Sequence, residues 1–374
     1  MKKILIAKQS LEKTYSGACR SVHEEIRYFK NLGYEVHTVA EDSNDEDIIA
    51  SGAIHHKTFR WPWQKKFKRR IQFSNQSKKI ADKIGADLVI GHGDYQHPDI
   101  HLIHNCVHLA SEKIHGKPLS KDNEMYQTHT PIFENRQFEH IIANSIIAKD
   151  ELVRRFGISD LKISVIYPAV DENQFKPLPI EIRSNKRAEL GVGDDEFLVG
   201  LITSGNFKKR GVDRFFKSIS KLPAEIANKT HFIFVGKDKL SPEIQTILDA
   251  CPYKDRIRLM PIIDDVEVYF NALDIFVLPA RIEEFGRVVA EAMACGAPII
   301  TTKWVGASEL LEEKSKEFIY SGEDNQELAD LMTKLLSDSD LRNSISELNI
   351  KSASKVFESK LDSEFNKIFP SFLE

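Results

Sequence analysis

Short apolar, β-branched runs alternate with amphipathic helical stretches along this chain, and they do so in two successive series. In the first series, residues 4–7, 35–40, 87–91, 100–104, 140–143 and 163–166 read as strands. In the second, residues 197–203, 231–235, 257–260, 275–278 and 298–302 do. Helical periodicity fills several intervals, notably 74–84 and 146–156, and a loop through Ser16 and Gly17 leads into a helix reaching about Leu32. Buried strands separated by helices build parallel sheets covered on both faces. The expected fold class is therefore α/β, with two doubly wound, Rossmann-like domains. A length of 374 residues agrees, being more than one core usually serves. The turn-rich stretch from Tyr167-Pro168 through Pro177 and Pro179 reads as a linker. Domains are expected at 1–170 and 171–350, with 351–374 as a terminal helix; helical period runs from about 328 to 369. No short sequence repeat accompanies the duplicated architecture.

The most specific chemistry lies in Ala280-Arg281-Ile282-Glu283-Glu284-Phe285-Gly286-Arg287-Val288-Val289-Ala290-Glu291-Ala292-Met293-Ala294-Cys295-Gly296-Ala297-Pro298. It sets Glu283 in a strand-to-helix loop and Glu291 inside the helix that follows. Phe285-Gly286 lets the backbone turn closely into a helix N-terminus, whose N–H groups and partial positive charge suit an anion such as a diphosphate. A carboxylate one turn inside could accept hydrogen bonds from sugar hydroxyls beside that anion. An ordinary crossover turn would explain the apolar residues but not the two glutamates. Nor do Glu283 and Glu291 suit the acid pair of a glycoside hydrolase, which must flank one scissile bond at a defined separation.

This segment resembles the signature of retaining GT-B glycosyltransferases of the GT4 type: two glutamates with seven residues between them, then Ala-Met-Ala-x-Gly-x-Pro. The resemblance implies two facing Rossmann-like domains, with the terminal helix crossing back onto the first. It implies that Glu291 binds ribose, Glu283 contacts the donor sugar, and the backbone at Phe285, Gly286, Arg287 and Val288 lies at the phosphates. It implies no catalytic metal and no cofactor beyond the nucleotide-sugar donor. Glu284 is expected to be a solvent-exposed loop carboxylate.

Ser204-Gly205-Asn206-Phe207-Lys208-Lys209-Arg210-Gly211-Val212-Asp213 follows a strand and opens a helix. It matches neither the dinucleotide nor the P-loop pattern. It offers a glycine turn with three consecutive cations, which could stabilise the charge that develops on a leaving diphosphate. A solvated basic turn is the alternative. The resemblance places the paired cations at Lys209 and Arg210. In the first domain it places a phosphate-closing loop at residues 14–21, where Gly17 stands alone in place of two adjacent glycines. It also puts a histidine facing the donor sugar at the end of the fourth strand, where His104 is the candidate. His92, His97, His101, His104 and His108 are scattered over a strand and loops and do not suggest a metal site.

From Trp61 to Arg70, Trp-Pro-Trp-Gln-Lys-Lys-Phe-Lys-Arg-Arg joins aromatics to a polybasic run, as an anionic membrane surface would require. A net charge of −4 gives no argument for nucleic acid. Cys19, Cys106, Cys251 and Cys295 are widely spaced, which suggests neither zinc nor disulfides and fits a reducing cytoplasm. The apolar run after Met1-Lys2-Lys3 stops at Ala7, short for a signal peptide, so a cytoplasmic or peripheral protein is expected. Within the resemblance, the subgroup most similar is the bacterial lipopolysaccharide core glucosyltransferases. The expected reaction is retaining, metal-independent hexose transfer from a nucleotide sugar, UDP-linked and with UDP-glucose as the candidate, to a hydroxyl of a cell-envelope glycan. The competing readings are a GT-B nucleotide-sugar epimerase or hydrolase, and an idle sugar-nucleotide-binding scaffold.

Overall fold

The computed structural model describes residues 1–12, 17–61, 63 and 66–374. The chain divides into one unit of Met1–Pro168 with Lys360–Glu374, and a second of Ala169–Ser359. The residues from 351 to 359 thus belong to the second unit, and only the last fifteen or so join the first.

The first unit is built on a seven-stranded sheet. Its strands run in the order Ile54–Lys57, Glu35–Ala40, Lys3–Ala7, Leu88–His92, Ile100–Ile103, His140–Ala143 and Ile163–Val165, all pairs parallel. Ile4, Leu5 and Ile6 have no exposed surface, as expected for a central strand covered on both faces. The helix Gly17–Asn31 buries Val22, Ile26, Tyr28 and Phe29. Each such side chain contributes about 1.5–3 kcal/mol by leaving water. Helix limits follow local chemistry. Ile146–Phe156 starts where the Ser145 hydroxyl accepts from the Ala148 N–H (3.1 Å) and stops at Gly157, whose φ is +60°.

Two expectations change here. The helix over 74–84 begins earlier, at Lys66, and buries Phe73, Ser74, Ser77 and Ala81. Its cationic first turns masked the helical period. The edge strand Ile54–Lys57 was not foreseen, because Ile-His-His-Lys has no buried alternation; its pairing is joined by a His37–His56 contact of 2.9 Å.

An aromatic cluster closes one end of this unit. Tyr28 and Phe29 meet Phe365 and Phe369 at ring-centroid distances of 5.1 Å (Tyr28–Phe365) and 4.9 Å (Phe29–Phe369). The Tyr28 hydroxyl donates to Asn366 Oδ1 at 2.7 Å.

The second unit carries a six-stranded parallel sheet in the order Ile257–Met260, Thr230–Val235, Phe197–Ile202, Ile275–Leu278, Ile299–Thr302 and Ile319–Tyr320. The last strand is only two residues long, too short to show a pattern. Its core is phenylalanine-rich, with Phe215, Phe216, Phe232 and Phe276 fully buried. The expected helical run over 328–369 is divided into Asn325–Ser337, Ser339–Ala353 and Glu358–Phe365. Asp338 makes the first break by capping the next helix, accepting from the Leu341 N–H at 2.9 Å. In this sheet the first strand of the series, Phe197–Ile202, lies between the second and the fourth. Chain direction across the sheet therefore reverses there, and ligands of open α/β sheets bind outside the strand carboxyl ends at such a point.

Candidate nucleotide-sugar site

Two loops leave the second sheet on either side of that reversal, and they carry the two motifs. After Phe197–Ile202, Asn206 adopts a left-handed conformation (φ +52°) and caps the short helix Phe207–Arg210, its side chain accepting from the Lys209 N–H. Asn206 itself is held by Asp238, which accepts from its N–H at 2.7 Å. Gly211 follows at φ +73°, and a Cβ there would overlap the Pro279 carbonyl. Only glycine lets the two loops touch backbone to backbone at this point.

Arg281 fastens them together. Its N–H donates to the Lys209 carbonyl (2.8 Å), and its guanidinium donates to the Lys208 carbonyl (2.8 Å) and to both Asp213 oxygens (2.7 Å each). Burial pushes the Asp213 carboxyl up, but the hydrogen bonds from Arg281 hold it below the usual carboxylate range. Planar bidentate pairing of this kind fixes direction as well as charge.

This clamp presents Lys209 and Arg210 to the glutamate loop. Lys209 Nζ lies 2.5 Å from Glu284 Oε2 and 3.9 Å from Glu283 Oε2, and Arg210 pairs with Glu283. Glu284 is 3% exposed, so it is a buried ion-pair partner and not the solvent carboxylate expected from sequence. Burial pushes Arg210 down to about 10, with Glu284 acting in the opposite sense. Two cations thus face two carboxylates in a pocket of low dielectric.

The glutamate loop is pinned by its backbone. The Glu283 N–H donates to the Trp304 carbonyl (2.8 Å), Gly306 N–H to the Glu283 carbonyl (3.0 Å) and Ala307 N–H to the Phe285 carbonyl (2.7 Å). Gly286 turns at φ +89°, where a Cβ would press within 3.0 Å of both Glu283 and Val305 side chains. The helix Arg287–Ala294 starts at once, with Arg287 and Val288 in its first turn. The Arg287 side chain turns away and donates to the Ala169 carbonyl at 2.6 Å. Glu291 is buried one turn into the helix. Burial, and next the Glu291 and Glu267 charges, push the Cys295 thiol up to about 12. Glu283 in the loop and Glu291 in the helix are therefore held by different elements.

In the first unit, Gly17 is the first residue of a helix and not part of a loop; residues 14–16 of the expected loop lie outside the described residues. His104 follows the strand Ile100–Ile103, half-buried, with its Nε2 2.8 Å from His92 Nδ1. The other histidines do not converge. His101 is fully buried in the strand, and His108 pairs with Thr130 Oγ1 at 2.8 Å. Among the described residues, no group of three or more His, Cys, Asp or Glu side chains could hold a metal ion.

The basic aromatic segment is divided. Trp61 and Trp63 are 60% and 96% exposed. Arg69, however, pairs with Glu41 and Asp42, and Arg70 lies 3.6 Å from Asp94, so these two cations serve the fold. Pro62, Gln64 and Lys65 lie outside the described residues. No helix among the described residues is long and apolar enough to cross a membrane.

Residues 183–352 match the family model of glycosyl transferases group 1, and residues 15–174 that of glycosyltransferase family 4. The chain belongs to the GT4-type glycosyltransferases. It is 26% identical over 204 residues to a D-inositol 3-phosphate glycosyltransferase of Xylanimonas cellulosilytica, covering 53% of this chain and 48% of that protein. The O-antigen biosynthesis glycosyltransferase WclY of Escherichia coli is 26% identical over 157 residues, 42% of each chain. The chain thus spans about half the length of the curated relatives it matches.

Solved structures extend the likeness to the whole fold. WaaG, a glycosyltransferase involved in lipopolysaccharide biosynthesis, superposes with a TM-score of 0.78 at 16% identity, over 98% of this chain and 99% of its own. HepE of Anabaena, in complex with UDP and glucose, does so with a TM-score of 0.78 at 20% identity, over 99% and 100%. The fold of this GT4-type chain is GT-B.

Proposed function

We propose that this chain transfers a hexose, with retention, from a UDP-linked sugar to a hydroxyl of a cell-envelope glycan such as lipopolysaccharide core, without a metal ion. The observation that carries the reading is the Lys209–Arg210 pair held against Glu283 and Glu284 beside the Gly286 turn, with Glu291 one turn into the next helix. A diphosphate entering here exchanges its charge for that of the glutamates on the two cations. The helix terminus at Arg287 and Val288 adds partial positive charge. Glu291 accepts from ribose hydroxyls and Glu283 from the sugar. The family resemblance assigns His104 to the donor sugar.

In the reaction the bond from the sugar C1 to the phosphate oxygen breaks, and a bond from C1 to the acceptor oxygen forms on the same face. The acceptor proton passes to the leaving diphosphate. Lys209 and Arg210 stabilise the charge gained by that leaving group, which is why fixed cations accelerate such a step. Docking at the inner face of the membrane, through Trp61, Trp63 and the exposed cations Lys66 and Lys68, would bring a lipid-linked acceptor to the first unit.

A thermal-shift panel of UDP, ADP, GDP and their sugars, followed by turnover on candidate acceptors with and without a chelator, tests the proposal. Stabilisation by UDP and acceptor-dependent release of UDP in the presence of chelator are expected. Release of free sugar without any acceptor would favour a hydrolase, and conversion of the sugar without release an epimerase. No stabilisation by any nucleotide would leave the site without its ligand and end the proposal.

A further inference from the structure

Behind His104 lies a line of buried side chains that the family signature does not contain. Glu25, on the helix Gly17–Asn31, has no exposed surface, and its Oε2 is 2.9 Å from His92 Nε2. His92, the last residue of the strand Leu88–His92, is 2% exposed. Its Nδ1 is 2.8 Å from His104 Nε2, and the two rings stack with centroids 5.0 Å apart. His92 and His104 stand at the carboxyl ends of adjacent parallel strands, the edge where open α/β sheets bind ligands.

We propose that Glu25 and His92 are positioning residues that hold His104 in the tautomer with its proton on Nδ1. The proposal rests on the glycosyltransferase reading for the use made of His104, but not for the relay itself.

Counting protons gives the direction. Each contact in the line must have one donor and one acceptor. If Glu25 carries the proton, it donates to His92 Nε2, so a neutral His92 bears its own proton on Nδ1 and donates that to His104 Nε2. His104 then accepts at Nε2 and keeps its proton on Nδ1. An ionised Glu25 would reverse both contacts and put the His104 proton on Nε2. The choice is therefore made at Glu25, two contacts away from His104.

The surroundings of Glu25 favour the acid. Its second oxygen, Oε1, has no hydrogen-bond partner among the described residues, whereas a buried carboxylate needs several donors. Burial, with Glu24 adding to it, raises the Glu25 carboxyl well above the usual range. Burial, with Lys8 adding to it, lowers His92 to about 3, which keeps that ring neutral. Both members of the pair are thus uncharged, the cheaper state for two groups away from water. What results is a single His104 tautomer, set by residues that need not touch the sugar.

The test uses the full chain with 15N-labelled histidine and reads the tautomer of His104 by two-bond nitrogen–proton correlation, its signals assigned by their loss in His104→Asn. The Nδ1–H tautomer is expected in the wild type and in Glu25→Gln, because the Gln amide donates to His92 Nε2 as the acid does. Glu25→Ala should give a mixture of tautomers and lower kcat about tenfold, the scale of one hydrogen bond made in the transition state, with KM for the donor little changed. Glu25→Gln should restore most of that loss. An Nε2–H tautomer at His104 in the wild type would overturn the relay, and so would a Glu25→Gln protein that stays folded yet loses as much turnover as Glu25→Ala. A wild type that consumes no nucleotide sugar would count against the activity instead, and the tautomer would still decide the relay.

Discussion

Lys209 is both a proposed phosphate ligand and half of a buried ion pair, and the two roles can be separated. Replacing it with Met removes the cation but leaves the Glu284 carboxylate, whose side chain is 4% exposed, without the partner 2.5 Å away. Removing one partner of a buried pair costs about 3–5 kcal/mol. Lys209 is itself 13% exposed, so the lower end, about 3 kcal/mol, applies. For a unit of this size that corresponds to a fall in Tm of roughly 6–12 °C. Adding Glu284→Gln removes the carboxylate that has lost Lys209, and the double variant should regain most of the lost Tm. Turnover should behave differently. Losing one charge-assisted contact to the leaving diphosphate costs about 1.5–3 kcal/mol, or roughly 10- to 100-fold in rate, and the neutral glutamine cannot restore it. Calorimetric Tm and UDP release at saturating donor, measured on the wild type, both single variants and the double, complete the cycle. A double variant that recovers turnover together with Tm would refute the phosphate role and leave Lys209 a structural residue.

Glu291→Ala should weaken binding of free UDP, whereas Glu283→Ala should matter mainly when the sugar is attached; titration calorimetry with UDP and UDP-glucose distinguishes them, and equal losses of UDP affinity would contradict the division. Glu25→Gln should raise Tm at neutral pH and leave it unchanged near pH 4. The folded carboxyl titrates above its ordinary value of 4.5, so wild-type stability falls as pH rises from there through the folded value, and Gln escapes that loss. A Tm difference independent of pH would show that Glu25 is not the group responsible. Gly211→Ala should cost at least about 1 kcal/mol from its left-handed φ alone, and more from the overlap with Pro279; a Tm equal to wild type would mean the loops do not need that contact. Replacing Lys66 and Lys68 with Gln should reduce sedimentation with anionic vesicles while sparing turnover on a small soluble acceptor, each cation being worth about 1 kcal/mol near such a surface. Unchanged sedimentation would remove the membrane from the reading.

The parallel sheets were legible because their strands are buried on both faces, so that runs such as residues 4–7 and 275–278 are apolar throughout. Ile54–Lys57 was not, since an edge strand of histidines and lysine owes its pairing to a neighbour and not to its own pattern. Residues 66–73 fell outside the expected helix because among their cations stand only Phe67 and Ile71, neither fully buried, before Phe73. In the site, the signature put Glu283, Gly286 and Glu291 on the correct loop and helix. It could not show that Glu284 is buried, because its partner Lys209 is 75 positions away in sequence. The Glu25–His92 contact spans 67 positions and belongs to no local pattern at all. Spacing reports what neighbours do on one element; pairs made by the folding of distant elements leave no such trace.

The aromatic cluster around Tyr28 has a consequence for how the protein is made. Phe365, Asn366 and Phe369 complete the first unit, yet they are translated after the whole of the second. Synthesis at about 5–20 residues per second separates the two events by roughly 10–40 s. Through that interval the ribosome holds a first sheet whose Tyr28 and Phe29 lack their final cover, while the second unit has everything it needs to fold. The order of maturation is thus reversed relative to the order of the chain. A premature stop shortly before Phe365 would spare the neighbouring unit and strike the one encoded first, and chaperones that bind exposed aromatics would meet this protein at its beginning.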